Sequence, residues 1–408
     1  LPKARTAAAP FPAVAALKQL AADVRAILGP HTKISYAADW SEYRGHDMGG
    51  GAFAFHLDPL WADANIDFIG IDMYAPLTDW RDGDAHLDLQ DWGSIYDPAY
   101  LRSRIAGGED YDWYYASDED RAIQSRTPIT DGAYGKPWIW RAKDLKNWWS
   151  NAHYDRPDGA EADAPTAWMP QSKPIWFTEL GCPAIDKGTN EPNRFVDPKS
   201  AESAAPHFSR GTRDDFIQRR FIEAEMSYWS PAHPDHIAGA NPVSSVYGGR
   251  MVDPSRIFLW TWDARPFPAF PERSDVWADA ANWRLGHWLN GRVAAQELAA
   301  VVEALLAGYG FNGIDVSLLD GLVTGLVLDR AMSAREAMQP LELAHFMDIV
   351  ESGDTIRFFH RGSGPVRAVL RLDDLVEWKP GADLVRLTRA QETDLPAEAR
   401  ISYAAIES

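Results

Sequence analysis

The sequence contains one cysteine, Cys182, among 408 residues, so no disulfide can form within the chain. It also has no apolar run long enough to span a bilayer, although 46% of its residues are hydrophobic. Basic residues are in the minority, and the net charge of −19 argues against a nucleic-acid surface and against docking on an anionic membrane. We therefore expect a chain that buries a large core, inserts into no membrane and binds no nucleic acid. The lone cysteine fits assembly in a reducing cytoplasm.

Nucleotide and metal motifs are also missing. The Gly49-Gly50-Gly51 run lacks the Lys-Ser/Thr pair that completes a P-loop, and the histidines do not show H-E-x-x-H spacing. The sequence has no cysteine pairing for zinc, no EF-hand spacing and no G-x-S-x-G elbow. We therefore predict no metal site and no cofactor. Leu1 to Pro12 carries neither an initiator Met nor a signal-peptide pattern, as expected of a piece of a longer chain.

Residues 1–290 show the alternation of strands and helices that is typical of a (β/α) barrel. Helical periodicity covers Pro12–Leu28 and Thr212–Trp229, and between such segments lie short, almost continuously apolar runs. Runs of this kind predict parallel strands covered on both faces, and each of them ends in polar or aromatic residues. A complete barrel has eight strands, whereas four are visible here. We expect them to be adjacent and parallel in this order: Lys33–Trp40, Ile66–Tyr74, Lys173–Gly181 and Arg256–Asp263.

The tryptophan content and the pattern of apolar residues change near Gly291. All of the 18 tryptophans except Trp378 lie before residue 290. Beyond that point Ala294–Gly308 has the pattern of an amphipathic helix, and short β-like runs follow. We therefore predict a separate, smaller and mainly β domain over residues 291–408, with β runs at Thr355–His360, Val366–Leu370 and Leu384–Thr388.

Glu179 is the strongest candidate for a catalytic residue. It directly follows an apolar run and precedes Gly181 and Pro183, so in a barrel it would end a strand at the catalytic mouth. Retaining glycosidases use two carboxyl groups about 5 Å apart, one as the nucleophile and one as the acid/base. Glu179 suits the nucleophile role. The alternative is a glutamate that caps a loop or pairs with an arginine.

Polar and aromatic residues at the other strand ends are candidate substrate-binding groups. Tyr74 is placed to hydrogen-bond the nucleophile, and the carboxylates are placed to bind sugar hydroxyls. Exposed indole rings can stack on sugar faces, although a tryptophan can equally serve as core packing. For the carboxylates, burial against a backbone N–H or an arginine remains the alternative. The candidates are Asp39, Trp40, Glu42, Asp72, Tyr74, Trp260, Trp262 and Asp263.

Three long segments resemble a known family. They are SYAADWSEY (35–43), FHLDPLWADANIDFIGIDMYAPLTDWRDG (55–83) and PIWFTELGCPAIDKGTNEPNRF (174–195). They are similar to the TIM-barrel-like domain in the tail-tip (baseplate) protein of gene transfer agents, which are phage-like particles. That domain is related to clan-A glycoside hydrolases. The stretch DTIRFFHR (354–361) resembles the phage-tail domain that follows it in the same family.

The resemblance has implications for the site. Clan-A enzymes carry the nucleophile at the end of strand seven, which Glu179 matches, and the acid/base at the end of strand four. The four visible strands would then be strands five to eight, the C-terminal half of the barrel. The proton donor would precede Leu1, and we expect little or no glycosidase turnover from these 408 residues alone. Within the chain, Asp39, Glu42 and Asp72 are the nearby carboxyls.

Three functions remain open at this stage. The chain is a retaining hydrolase of a cell-envelope polysaccharide or peptidoglycan glycan, a non-catalytic adhesin that binds cell-surface glycan, or a purely structural baseplate hub. In all three the resemblance implies a location at the tail tip of a virion-like particle. It also implies a homo-oligomer in the assembled tail, with other tail and baseplate proteins as partners. The position of a second carboxyl beside Glu179 distinguishes the first function from the others.

Overall fold

The chain forms two compact units, Leu1–Val293 and Ala294–Ser408, and the division lies beside the boundary predicted near Gly291. The computed structural model describes residues 2–6, 10–197, 200–201, 203–266, 269–289, 296–328, 330–362, 368–377 and 379–385.

Helices and strands are interspersed along the first unit, and the second unit contains two helices of 11 and 12 residues beside short strands. The α-helices are α1 (Pro12–Leu28), α2 (Asp58–Trp61), α3 (Leu87–Trp92), α4 (Pro98–Ser103), α5 (Asp118–Ile123), α6 (Leu145–Ser150), α7 (Asp215–Trp229), α8 (Ala269–Glu272), α9 (Leu298–Gly308) and α10 (Ala334–His345). The strands are β1 (Ala37–Asp39), β2 (His46–Gly49), β3 (Ala52–Ala54), β4 (Ile69–Met73), β5 (Trp113–Tyr114), β6 (Thr127–Pro128), β7 (Ile175–Leu180), β8 (Val252–Leu259), β9 (Gln296–Glu297), β10 (Ile314–Leu318), β11 (Leu322–Val323), β12 (Met347–Ser352) and β13 (Thr355–His360). Single 3-10 turns lie at Pro137–Ile139, Gly188–Asn190, Ala280–Leu285 and Leu372–Asp374.

A four-stranded parallel sheet organises the first unit. Its order is β1-β4-β7-β8, so the predicted order and direction of the four strands are confirmed. Over the described residues the sheet is open, with β1 and β8 at its edges, and closure into a barrel is not observed. Because all four strands run the same way, their C-terminal ends meet along one edge of the sheet.

One face of this sheet is packed against helices. Ile69 and Ile71 of β4 and Ile175 and Phe177 of β7 are completely buried in the same hydrophobic cluster as Phe221 of α7. Burying one such side chain stabilises a fold by roughly 1.5–3 kcal/mol. The predicted apolar runs are therefore the inner layer of an α/β sheet, and this layer holds the strand ends in place.

Helix α7 begins where its sequence provides a cap. The side chain of Asp214 accepts a hydrogen bond from the backbone N–H of Ile217, which otherwise has no partner in the first turn. The helix therefore starts at Asp215, slightly later than the predicted Thr212. Helix α1 has the predicted bounds and ends at Gly29, whose φ of 74° is a backbone conformation that favours glycine.

Strand β8 differs from its prediction. It starts at Val252 and ends at Leu259, so Trp260 and Trp262 lie beyond the strand and not within it, as the predicted Arg256–Asp263 run had them. The reason is a change of backbone partner. Trp260 still donates its backbone N–H to the carbonyl of Leu180 in β7, but the next residue, Thr261, exchanges backbone hydrogen bonds with the segment His287–Leu289. Both tryptophan side chains are consequently exposed.

The second unit contains a three-stranded sheet in the order β10-β13-β12, with β13 parallel to β10 and antiparallel to β12. Helices α9 and α10 contribute to the same hydrophobic cluster as this sheet, and α10 starts with a Ser333–Glu336 capping box. The described residues of this unit therefore form a mixed α/β structure, and the prediction of a mainly β domain is wrong for them. The predicted run at Thr355–His360 is a strand. Of Val366–Leu370 and Leu384–Thr388, residues 368–370 and 384–385 are described and are not in strands, and the others lie outside the described residues.

Candidate functional site

Three carboxylates end three neighbouring strands of the central sheet. The strand register pairs Asp39 of β1 with Asp72 of β4, and Asp72 with Glu179 of β7. Because neighbouring strands lie about 4.8 Å apart, these residues form a row with Asp72 in the middle, which we call the carboxylate row. The structure thus brings together three of the predicted site residues at the C-terminal edge of the sheet, where ligands bind in parallel α/β sheets.

Glu179 is held by the tyrosine that the sequence indicated. The phenol of Tyr74 donates a hydrogen bond to Oε2 of Glu179 over 2.7 Å. Burial raises the pKa of Glu179, and the charge of Asp72 adds to this effect, whereas the hydrogen bond from Tyr74 opposes it. Tyr74 itself is buried and lies edge-on to His287, with 5.7 Å between the ring centroids. These contacts fix the position of the Glu179 carboxyl and leave Oε1 without a hydrogen bond from the described residues.

Asp72 is held by a β-bulge. Ile71 pairs with Phe177 and Asp72 with Glu179, so Thr178 is an extra residue on β7. Its hydroxyl donates to Oδ1 of Asp72 over 2.8 Å. Burial raises the pKa of Asp72 and the charge of Asp39 adds to this effect, with Thr178 opposing it.

Asp39 and Glu42 have partners of their own. Oδ1 of Asp39 accepts hydrogen bonds from the backbone N–H and the hydroxyl of Ser41, at 2.8 and 2.5 Å. Oε2 of Glu42 accepts one from the phenol of Tyr36 over 3.0 Å. The fully buried His56 lies with Nε2 3.9 Å from Oε1 of Glu42, too far for a hydrogen bond. It nevertheless makes the largest contribution to lowering the pKa of Glu42.

The remaining predicted residues are not part of the row. Trp40 is half-buried, packs against the hydrophobic core and donates its backbone N–H to the carbonyl of Asp72. Asp263 forms an ion pair with Arg265, which also binds Asp279. Asp263 therefore has a local arginine as its partner, and it follows the end of β8 without being in register with the row. Two tryptophans beyond β8 offer exposed indole faces, with 44% of Trp260 and 65% of Trp262 accessible.

The row lacks a positive charge. No described lysine or arginine contributes to the pKa of either Asp72 or Glu179. Burial lowers the pKa of the nearby His287 to about 4, so this ring is neutral near pH 7. Nor do the described residues contain a group of three or more histidine, cysteine, aspartate or glutamate side chains arranged to hold a metal ion. The site therefore offers hydrogen-bond acceptors, a phenol and aromatic faces.

Sequence reasoning missed Tyr36, His56, Thr178 and His287. Thr178 is adjacent to Glu179 in sequence, but the bulge that places its hydroxyl on Asp72 depends on strand register, which the residues do not reveal. His287 follows the last predicted strand by more than twenty positions. Backbone hydrogen bonds between His287–Leu289 and Thr261 place its ring against Tyr74. Their contribution is visible only in three dimensions.

The fold and the site together define a class, an α/β protein with polar residues along the C-terminal edge of a parallel sheet. Residues 1–271 match the family of the GTA TIM-barrel-like domain, so the chain belongs to that family. Residues 333–406 match a phage tail protein family. The protein is thus phage tail-associated, with a GTA TIM-barrel-like domain. A search among curated proteins found no match to the chain. None of the described helices is both long and apolar enough to cross a membrane.

Proposed function

We propose that the Leu1–Val293 unit acts at a tail tip, where it binds a cell-envelope glycan at the carboxylate row and cleaves it by a retaining mechanism. The observation that carries this proposal is the placement of Glu179, which lies at the C-terminal end of β7 in register with Asp72 and accepts a hydrogen bond from Tyr74. The phage tail family match supports assembly with other tail proteins. The resemblance to clan-A glycoside hydrolases supports the choice of Glu179 as nucleophile.

The geometry suits nucleophilic attack on an anomeric carbon. The Tyr74 phenol stabilises the ionised form of Glu179 through Oε2, while Oε1 is left to form a bond with the sugar. The exposed rings of Trp260 and Trp262 follow the neighbouring strand β8 and provide apolar faces of the kind on which pyranose rings stack. Binding and bond formation would thus use side chains at the ends of β4, β7 and β8.

Glu179 is expected to become covalently labelled by an activated sugar. Dinitrophenyl 2-fluoroglycosides of glucose, galactose and mannose have a leaving group that needs no protonation, so they test the nucleophile independently of any acid. Mass spectrometry of peptides should show the adduct on Glu179. Glu179→Gln should abolish it, whereas Glu119→Gln, an exposed glutamate outside the site, should leave it unchanged. The nucleophile assignment would be contradicted if the Glu179→Gln variant were still labelled, or if no probe labelled the wild type.

The acidic row should also select against anionic sugars. A uronate oligosaccharide is expected to bind about tenfold more weakly than a neutral one of equal length, a difference of about 1.4 kcal/mol. The reason is repulsion by Asp72 and Glu179 with no described cation to offset it. Titration calorimetry at low and high salt measures the difference, which should shrink as salt screens the charges. Equal affinities at low salt would show that the row does not face the glycan.

A second candidate function is an adhesin without catalysis, and the exposed Trp260 and Trp262 favour it because they provide stacking surfaces without chemistry. Binding of a neutral oligosaccharide that Trp262→Ala weakens, together with no label on Glu179, would support this function. Absence of both binding and labelling would leave a structural role in the tail.

A further inference from the structure

Asp72 occupies a position that no other carboxylate of the site shares. It lies between Asp39 and Glu179, in register with both, on the strand that separates theirs. Its strand is the direct neighbour of β7, so the backbones that carry Asp72 and Glu179 are about 4.8 Å apart. Retaining glycosidases place their two carboxyls at about 5 Å. Asp39 is one strand further away and is less well placed to act with Glu179.

Asp72 and Glu179 each have one carboxyl oxygen that accepts no hydrogen bond from the described residues. Thr178 engages Oδ1 of Asp72 and Tyr74 engages Oε2 of Glu179. The other two oxygens accept no hydrogen bond from the described residues, so they remain to contact a ligand. By contrast, Glu42 accepts a hydrogen bond from Tyr36 and lies on a different segment, after β1, beside the buried His56. Asp72 and Glu179 are thus the pair whose free oxygens lie on neighbouring strands.

The two carboxyls are not equivalent toward a proton. Burial raises the pKa of both; the charge of Asp39 adds to this effect at Asp72, and the charge of Asp72 adds to it at Glu179. A phenol is also a stronger hydrogen-bond donor to an anion than an aliphatic hydroxyl is, which favours the ionised form of Glu179. Like charges on neighbouring strands repel, so ionising both carboxyls has a cost and the pair can share one proton.

We propose that Asp72 is the general acid and base that works with Glu179. This role rests on the proposed glycosidase function and departs from the family expectation of a donor on strand four. Oε1 of Glu179 attacks the anomeric carbon while the bond to the leaving oxygen breaks, and Asp72 transfers its proton to that oxygen. Asp72 then takes a proton from water, whose oxygen displaces Glu179 from the anomeric carbon. The sugar is released with its configuration retained, and Asp72 is again protonated.

Proton sharing can be tested without any sugar. A water-soluble carbodiimide with glycinamide modifies protonated carboxyls, and mass spectrometry can follow each site across pH. We expect Asp72 to remain reactive to higher pH than the exposed reference Asp84, and Glu179→Gln to move the Asp72 midpoint to lower pH. The proposal would be overturned if the pH midpoint for modification of Asp72 coincided with that of Asp84 and did not change in the Glu179→Gln variant.

Turnover tests the catalytic step. Asp72→Asn should lower kcat/KM for alkyl glycosides, whose leaving group needs a proton, by about 10²–10⁴-fold. Dinitrophenyl glycosides should react with Glu179 at a nearly unchanged rate, and the alkaline limb of the pH profile should disappear. Azide should restore turnover of the activated substrate in Asp72→Ala and give a glycosyl azide of retained configuration. Equal losses on both substrate types would overturn the role of Asp72. No labelling of Glu179 in the wild type would instead contradict the proposed function, while the carbodiimide titration would still test proton sharing.

Discussion

Methionine in place of Arg156 is expected to lower the free energy of unfolding of the Leu1–Val293 unit by about 3–5 kcal/mol. Arg156 is almost completely buried and binds both oxygens of Asp131, at 3.0 and 2.9 Å. Its guanidinium also lies 3.5 Å from Glu161 and 4.4 Å from the ring centroid of Tyr134. Methionine retains much of the apolar volume but leaves the buried carboxylate of Asp131 without its countercharge. An unpaired buried charge strongly destabilises the folded state.

The matched control is Arg273→Met. Arg273 also binds both oxygens of an aspartate, Asp275, at 2.7 and 2.6 Å, but both side chains are largely exposed. Water solvates the freed carboxylate, so little or no change in stability is expected there. Urea unfolding followed by tryptophan fluorescence measures both variants, since all tryptophans except Trp378 precede residue 290. Adding Asp131→Asn to Arg156→Met should recover part of the loss. Equal effects at Arg156 and Arg273 would show that burial does not decide the strength of these pairs.

The arrangement of the central sheet was predictable because each strand carries its own signal. A short apolar run such as Ile69–Met73 is buried on both faces only in a sheet covered by helices. Polar residues that follow such runs must then meet at one edge, and this argument predicted the neighbourhood of Asp72 and Glu179 and the hydrogen bond from Tyr74. The limits of β8 were not predictable, since they depend on a distant backbone partner, His287–Leu289.

The partners of the candidate carboxylates were not predictable from the sequence either. Asp263 follows an apolar run as Glu179 does, and only the structure shows that Arg265 engages it. The pairing of Glu42 with Tyr36 and His56 depends on how the chain turns after β1. Side-chain patterns therefore identify which residues reach the edge of the sheet, but they do not determine which partners each of them has. Strand register then selects Asp72 as the carboxylate next to Glu179.

A buried glutamate on α7 should make the stability of the first unit depend on pH. Glu225 is fully buried, and the indole N–H of Trp229 donates to its Oε2 over 2.7 Å. Burial raises the pKa of Glu225 to about 7, with Trp229 and the charge of Lys143 opposing this effect. Since the unfolded chain releases this proton near the ordinary pKa of a glutamate, the folded state binds more protons between that value and pH 7. The contribution of Glu225 to stability is therefore present in acid and is lost as pH rises through this window.

Glu225→Gln keeps an acceptor for Trp229 and removes the ionisable group, so it should stabilise the unit at pH 8. The pKa shift from 4.5 to about 7 corresponds to a gain on the order of 3 kcal/mol, and this gain should narrow toward pH 5. Glu223 on the same helix is the control with the opposite sign, because its bonds to Arg219 and Arg220 lower its pKa against the effect of burial. Glu223→Gln should destabilise the unit at pH 8, and its effect should fade in acid. Urea midpoints for both variants at pH 5, 6.5 and 8 measure these trends. If Glu225→Gln shows no pH-dependent gain over the wild type, Glu225 is not held in its neutral form by burial.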